Sequence, residues 1–108
     1  MSYQPINITA STLSLVASSH GDATITANRA AGITFTLPAS TGAGAKFRIV
    51  TGTTITSNNL IVQVANATDI MTGTALLAQD TADTAVLFET ASDSDTVTMN
   101  GSTKGGIK

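Results

Sequence analysis

The chain has 108 residues, of which 42% are hydrophobic, 4% aromatic and 11% charged, with a formal net charge of −2 and no cysteine. That length bounds a single domain with a modest core. The composition excludes disulfides, thiolate metal sites and cysteine nucleophiles, and a pI near 4.9 lacks the basic footprint that nucleic acid requires.

Residues 1–10 read as an extended N-terminal arm, because Pro5 biases its neighbour toward β or polyproline geometry. Tyr3, Ile6 and Ile8 are the candidate anchors of that arm on a partner, so their exchange for Ser is expected to spare the fold and weaken docking. The arm lacks a basic segment followed by an apolar one, so no secretion signal is expected. Residues 11–108 read as one β domain. Strands are expected at residues 12–16, 23–27, 33–37, 46–51, 60–65, 85–89 and 96–99, where apolar side chains tend to alternate with polar ones.

Turn formers punctuate them: Ser18-Ser-His-Gly-Asp22, Asn28-Arg-Ala-Ala-Gly32, Asn66-Ala-Thr-Asp69 and Ser92-Asp-Ser-Asp95. Pro38, without an amide donor, closes one strand, and the Gly-containing connector after it reads as a hairpin loop. Residues 60–65, apolar on both faces for three residues, suit a central strand. Ile70-Met71 suits a brief pairing, and residues 74–79 fit a helical turn as well as a strand. A β domain seldom stops on Gly105-Gly-Ile-Lys108, so a further strand is expected beyond it.

Short, evenly spaced strands predict an all-β fold, a small antiparallel β-sandwich or barrel-like domain. No clear internal repeat emerges; Thr51-Gly-Thr53 and Thr72-Gly-Thr74 are too short to establish one. No apolar run approaches the roughly 20 residues of a membrane-spanning helix. With few charges, the surface is expected to be coated with Thr, Ser and Asn, which cost less to desolvate against a partner than Lys or Glu. Few aromatics also leave a weak solitary core, which small domains often offset by oligomerising.

Candidate chemistry is sparse. His20, the only histidine, stands beside serines and Asp22 in one turn. A catalytic triad needs those groups to converge from separate elements. Five of the seven acids, Asp80, Asp83, Glu89, Asp93 and Asp95, crowd the C-terminal third. Asp93 and Asp95 have a spacing that calcium sites use, but no calcium loop or bidentate Glu follows. A solvated edge that discourages strand pairing is the simpler explanation. Gly42-Ala-Gly44 lacks the Lys and following helix of a phosphate loop. The sequence offers no residue as catalytic, cofactor-binding or metal-ligating.

The segment Ile33-Thr-Phe-Thr-Leu-Pro-Ala-Ser-Thr-Gly-Ala-Gly-Ala-Lys-Phe-Arg-Ile-Val50, continued through Gly52-Thr-Thr-Ile-Thr-Ser-Asn-Asn-Leu-Ile-Val-Gln-Val-Ala-Asn-Ala-Thr-Asp69, resembles small virion structural proteins of tailed bacteriophages. In those proteins a Leu-Pro-Ala-x-Thr-Gly-x-Gly turn joins two strands. The likeness covers residues 24–107 and rests on structural motifs. It implies a head decoration (cement) protein, made in the host cytoplasm and bound to the major capsid protein on the outer surface of the head. It also implies a homotrimer, with further strands beyond Gly105-Gly106, and supplies no catalytic residue.

Two other functions stay open. A tail fibre or spike module binding host-surface carbohydrate shares the Thr-rich β composition, but calls for exposed aromatics, whereas Phe35, Phe47 and Phe88 all read as core. A glycosidase using Asp93 or Asp95 lacks the aromatic platforms usual at sugar sites. Exchange of both for Asn without loss of activity would end that idea.

Overall fold

A computed structural model describes residues 5–78 and 85–100. In chain order the elements are β1 (Ile6–Ile8), β2 (Thr12–Ser14), a helical turn α1 (Ala17–His20), β3 (Thr24–Ala27), β4 (Thr34–Thr36), β5 (Arg48–Thr51), β6 (Asn59–Gln63), β7 (Thr74–Ala78), β8 (Ala85–Glu89) and β9 (Thr96–Asn100). The all-β class is as expected.

From β1 to β6, strands separated by one other strand pair with each other. One sheet has the order β1-β3-β5 and a second has β2-β4-β6-β9, while β7 and β8 form a ribbon of their own. The chain therefore winds: each circuit adds one strand to the first sheet, crosses, and adds one to the second. Backbone bonds between circuits continue through the crossings. Asn28 N donates to Ile8 O at 2.9 Å, Thr34 N to Ser11 O at 3.0 Å and Gly52 N to Ala27 O at 2.8 Å.

The period-two pattern places the core between the sheets. Ile6, Ile25 and Ile49 stand in register across the first sheet. Leu13, Phe35 and Val62 do so across the second. Ile25 and Phe35 are 0% exposed, and Leu15, Ala27, Ile33, Ile55 and Leu60 complete the buried cluster. Each circuit stacks its apolar side chains on those of the previous one, as in solenoid proteins, where neighbouring repeats bury a face that none buries alone. β6 lies inside its sheet, as its apolar character predicts, and β9 runs antiparallel along it with Met99 opposite Leu60.

Several expectations are corrected. Among the described residues four of the six strand pairs are parallel, so the expected antiparallel pairing does not hold. The connector through Gly42 and Gly44 is not a hairpin loop, because β4 pairs with β2 and β6 while β5 pairs with β3. It carries the chain from one sheet to the other. The segment after Pro5 is extended, but Ile6–Ile8 is a paired strand of the first sheet and not a free arm. Residues 74–78 are a strand. Ile70 and Met71 lie outside any strand, although Met71 N donates to Ser94 O at 2.7 Å.

Candidate interaction surface

The groups with chemical potential are used locally. His20 Nδ1 accepts a hydrogen bond from Val16 N at 2.9 Å, tying the ring to the start of its own helical turn. Asp95 Oδ1 accepts from Thr96 Oγ1 at 2.9 Å, and the Asp95 carbonyl accepts from Val64 N at 3.0 Å. Asp69 Oδ2 accepts from Ser40 N at 3.0 Å and from Asn66 Nδ2 at 2.9 Å, pinning the long connector to the Asn66 turn. Asp93 is exposed, and Asp80 and Asp83 lie outside the described residues. Among the described residues no three His, Asp or Glu side chains converge as a metal cluster would require.

What the described residues do present is surface suited to contact. The second sheet turns its inner side chains to the core and its outer ones to solvent. Two outward rows follow from the register: Thr12, Thr34, Ile61 and Thr98 in one, and Ser14, Thr36, Gln63 and Thr96 in the other. Adjacent strands lie about 4.8 Å apart, so these are close-set, uncharged ladders made mostly of Thr and Ser, with Ile61 in one row and Gln63 in the other. Gln63 Nε2 donates to Thr36 Oγ1 at 3.2 Å, holding two rungs together. The hydroxyl-rich surface expected from composition thus takes the form of an ordered, uncharged face.

A second surface was not expected. Phe88, read as core from its strand, is 53% exposed, and Leu76 and Leu87 are 73% and 59% exposed. Phe35 is buried and Phe47 packs against the core as expected. The exposed side chains belong to the β7–β8 ribbon, whose register sets Leu76 opposite Leu87 and Ala75 opposite Phe88. The sequence held a signal for this ribbon. Leu76-Leu77 and Val86-Leu-Phe88 put apolar residues on both faces of two short strands.

Of the predicted docking residues, Tyr3 lies outside the described residues. Ile6 and Ile8 are half-buried, and Ile8 packs against this chain's own core. Ile8 therefore has a place in the packing of the fold as well as being a candidate anchor. Ile8→Ser is expected to destabilise the isolated chain by about 1–3 kcal/mol, from lost apolar burial and a hydroxyl set against the core. Urea unfolding measures it; an unchanged midpoint would return Ile8 to the role of a free anchor.

No family model, no curated protein and no solved structure matches the chain.

Proposed function

We propose that this chain is a capsid decoration (cement) protein, which binds the major capsid protein on the outer surface of a phage head as a homotrimer and stiffens the shell. The observation that carries this function is the uncharged outer face of the second sheet, with its rows from Thr12 to Thr98 and from Ser14 to Thr96. Short hydroxyl side chains lose little conformational entropy when immobilised. They also give up water at lower cost than charges, so such a face suits broad, shape-matched contact with a protein shell. The resemblance of residues 33–69 to virion structural proteins of tailed phages points the same way.

The chemistry of decoration is assembly. Each copy would bridge neighbouring coat subunits, so that outward pressure on the shell must also break the added contacts. Binding of this kind stabilises the assembled state by mass action. No proton transfer or cofactor enters, and the stacked circuits act as a rigid spacer.

The test is the ratio of this chain to the major coat protein in purified particles, read by quantitative mass spectrometry. Near-equal abundance is the expected result. A few copies per particle would instead favour a tail fibre or spike module. The exposed ring of Phe88 is the observation on that side, because sugars stack on aromatic faces. Absence from particles would remove both virion functions.

A further inference from the structure

The β7–β8 ribbon pairs with no third strand among the described residues. A two-stranded hairpin is marginal in water unless a face of it is covered. Here Leu76 and Leu87 on one face and Phe88 on the other are all more than half exposed. Among the described residues the ribbon is therefore uncovered on both faces, and an apolar edge of this kind is a template for pairing with another strand.

A matching edge exists elsewhere on the same molecule. β5 is the last strand of the first sheet, with β3 on one side and no partner on the other among the described residues. Its outward side chains are Arg48 and Val50, the latter 40% exposed, while Ile49 turns inward against the core. β8 carries the complementary series. Leu87 and Glu89 share one face and Phe88 takes the other. An antiparallel pairing that sets Glu89 opposite Arg48 also sets Phe88 opposite Ile49 and Leu87 opposite Val50. Charge meets opposite charge and apolar meets apolar along a single register.

We propose that β8 of one copy adds antiparallel to the free edge of β5 in a second copy, with Glu89 opposite Arg48 and Leu87 opposite Val50. This deepens the homotrimer reading above and rests on it. The ribbon and the β5 edge are different patches, so each copy gives one and receives one, and such a head-to-tail contact closes into a ring when its rotation allows. Leu76, Leu87, Phe88 and Val50 leave roughly 400 Å² of apolar surface per copy, divided between the two faces of the ribbon and the β5 edge. Together with the backbone covered by strand addition, that approaches the roughly 800 Å² per partner of a stable interface.

The experiment is native mass spectrometry and light scattering on the full chain, with Arg48→Glu, Glu89→Arg and the double variant. Each single variant sets like charges opposite one another and should weaken self-association roughly tenfold per contact. The double variant restores the pair and should recover most of that loss. Melting curves verify that all three fold. A wild-type chain that stays monomeric at high concentration, or a double variant no better than either single one, overturns the proposal. The copy number in particles is read separately. Abundant chain whose trimer ignores Arg48 and Glu89 would sink only the strand exchange, whereas exchange-dependent trimers absent from particles would sink only the decoration role.

Discussion

Phe35→Ala is expected to bring the isolated chain to the margin of folding at 25 °C. Phe35 is the largest side chain of the core and is 0% exposed. It sits on β4, the second strand of its sheet, between Leu13 on β2 and Val62 on β6. The first sheet faces it with Ile25 and Ala27, and Ile33 and Leu60 belong to the same cluster. Truncating a buried Phe costs about 3–5 kcal/mol, in lost transfer energy and in the cavity left behind. A domain of this size has only about 5–15 kcal/mol in total, and a core with one buried aromatic lies at the low end. Far-UV circular dichroism with urea titration reads the loss. Phe88→Ala is the matched control, because that ring is 53% exposed and its removal should cost the isolated chain under about 1 kcal/mol. Equal losses at the two positions would mean that the core does not lie between the sheets.

The positions of most strands were legible because alternation reports which side chains face inward. Thr34-Phe-Thr36 and Thr24-Ile-Thr-Ala27 both write that pattern, and both form strands with Phe35, Ile25 and Ala27 buried. Alternation is silent about the direction of the neighbour. A half-buried strand reads alike in parallel and antiparallel pairs, and parallel pairing usually announces itself through helical crossovers. Here the crossings are loops of unequal length, one of them holding only the single helical turn α1. The residues between Ile25 and Ile49 outnumber those between Ile6 and Ile25, so the stacked Ile column left no fixed period to detect. Phe88 was misplaced for a different reason. A strand that is apolar on both faces is normally central, and only the topology shows that β8 has a single partner among the described residues. The uncharged outer face was legible from composition, but its two rows depend on the register and so on the pairing that sequence did not reveal.

Gly32→Ala is expected to damage the stacking of the second and third circuits far more than Gly42→Ala damages anything. Both glycines have positive φ, 80° at Gly32 and 76° at Gly42, a region where a side chain costs about 1–2 kcal/mol. The two differ in what surrounds them. A Cβ on Gly42 would meet nothing within 4 Å, whereas one on Gly32 would overlap the Asn59 carbonyl oxygen and lie 2.9 Å from the Asn59 carbonyl carbon. Backbone cannot swing aside as a flexible side chain does, so the clash adds an overpacking cost of about 1–3 kcal/mol. The turn before Gly32 is also bonded to the next circuit. Thr56 N donates to Ala30 O at 2.7 Å and Asn58 Nδ2 to Ala31 O at 3.1 Å, and Arg29 Nη1 closes the turn on Gly32 O at 2.8 Å. Displacing Asn59, the first residue of β6, strains those bonds and moves Ile61 and Gln63 out of line with Thr34 and Thr36. Gly32→Ala should therefore lower the urea midpoint by a margin several times that of Gly42→Ala. Equal midpoints for the two variants would mean that the circuits do not touch at Gly32, and the alignment of the outer face would then need another support.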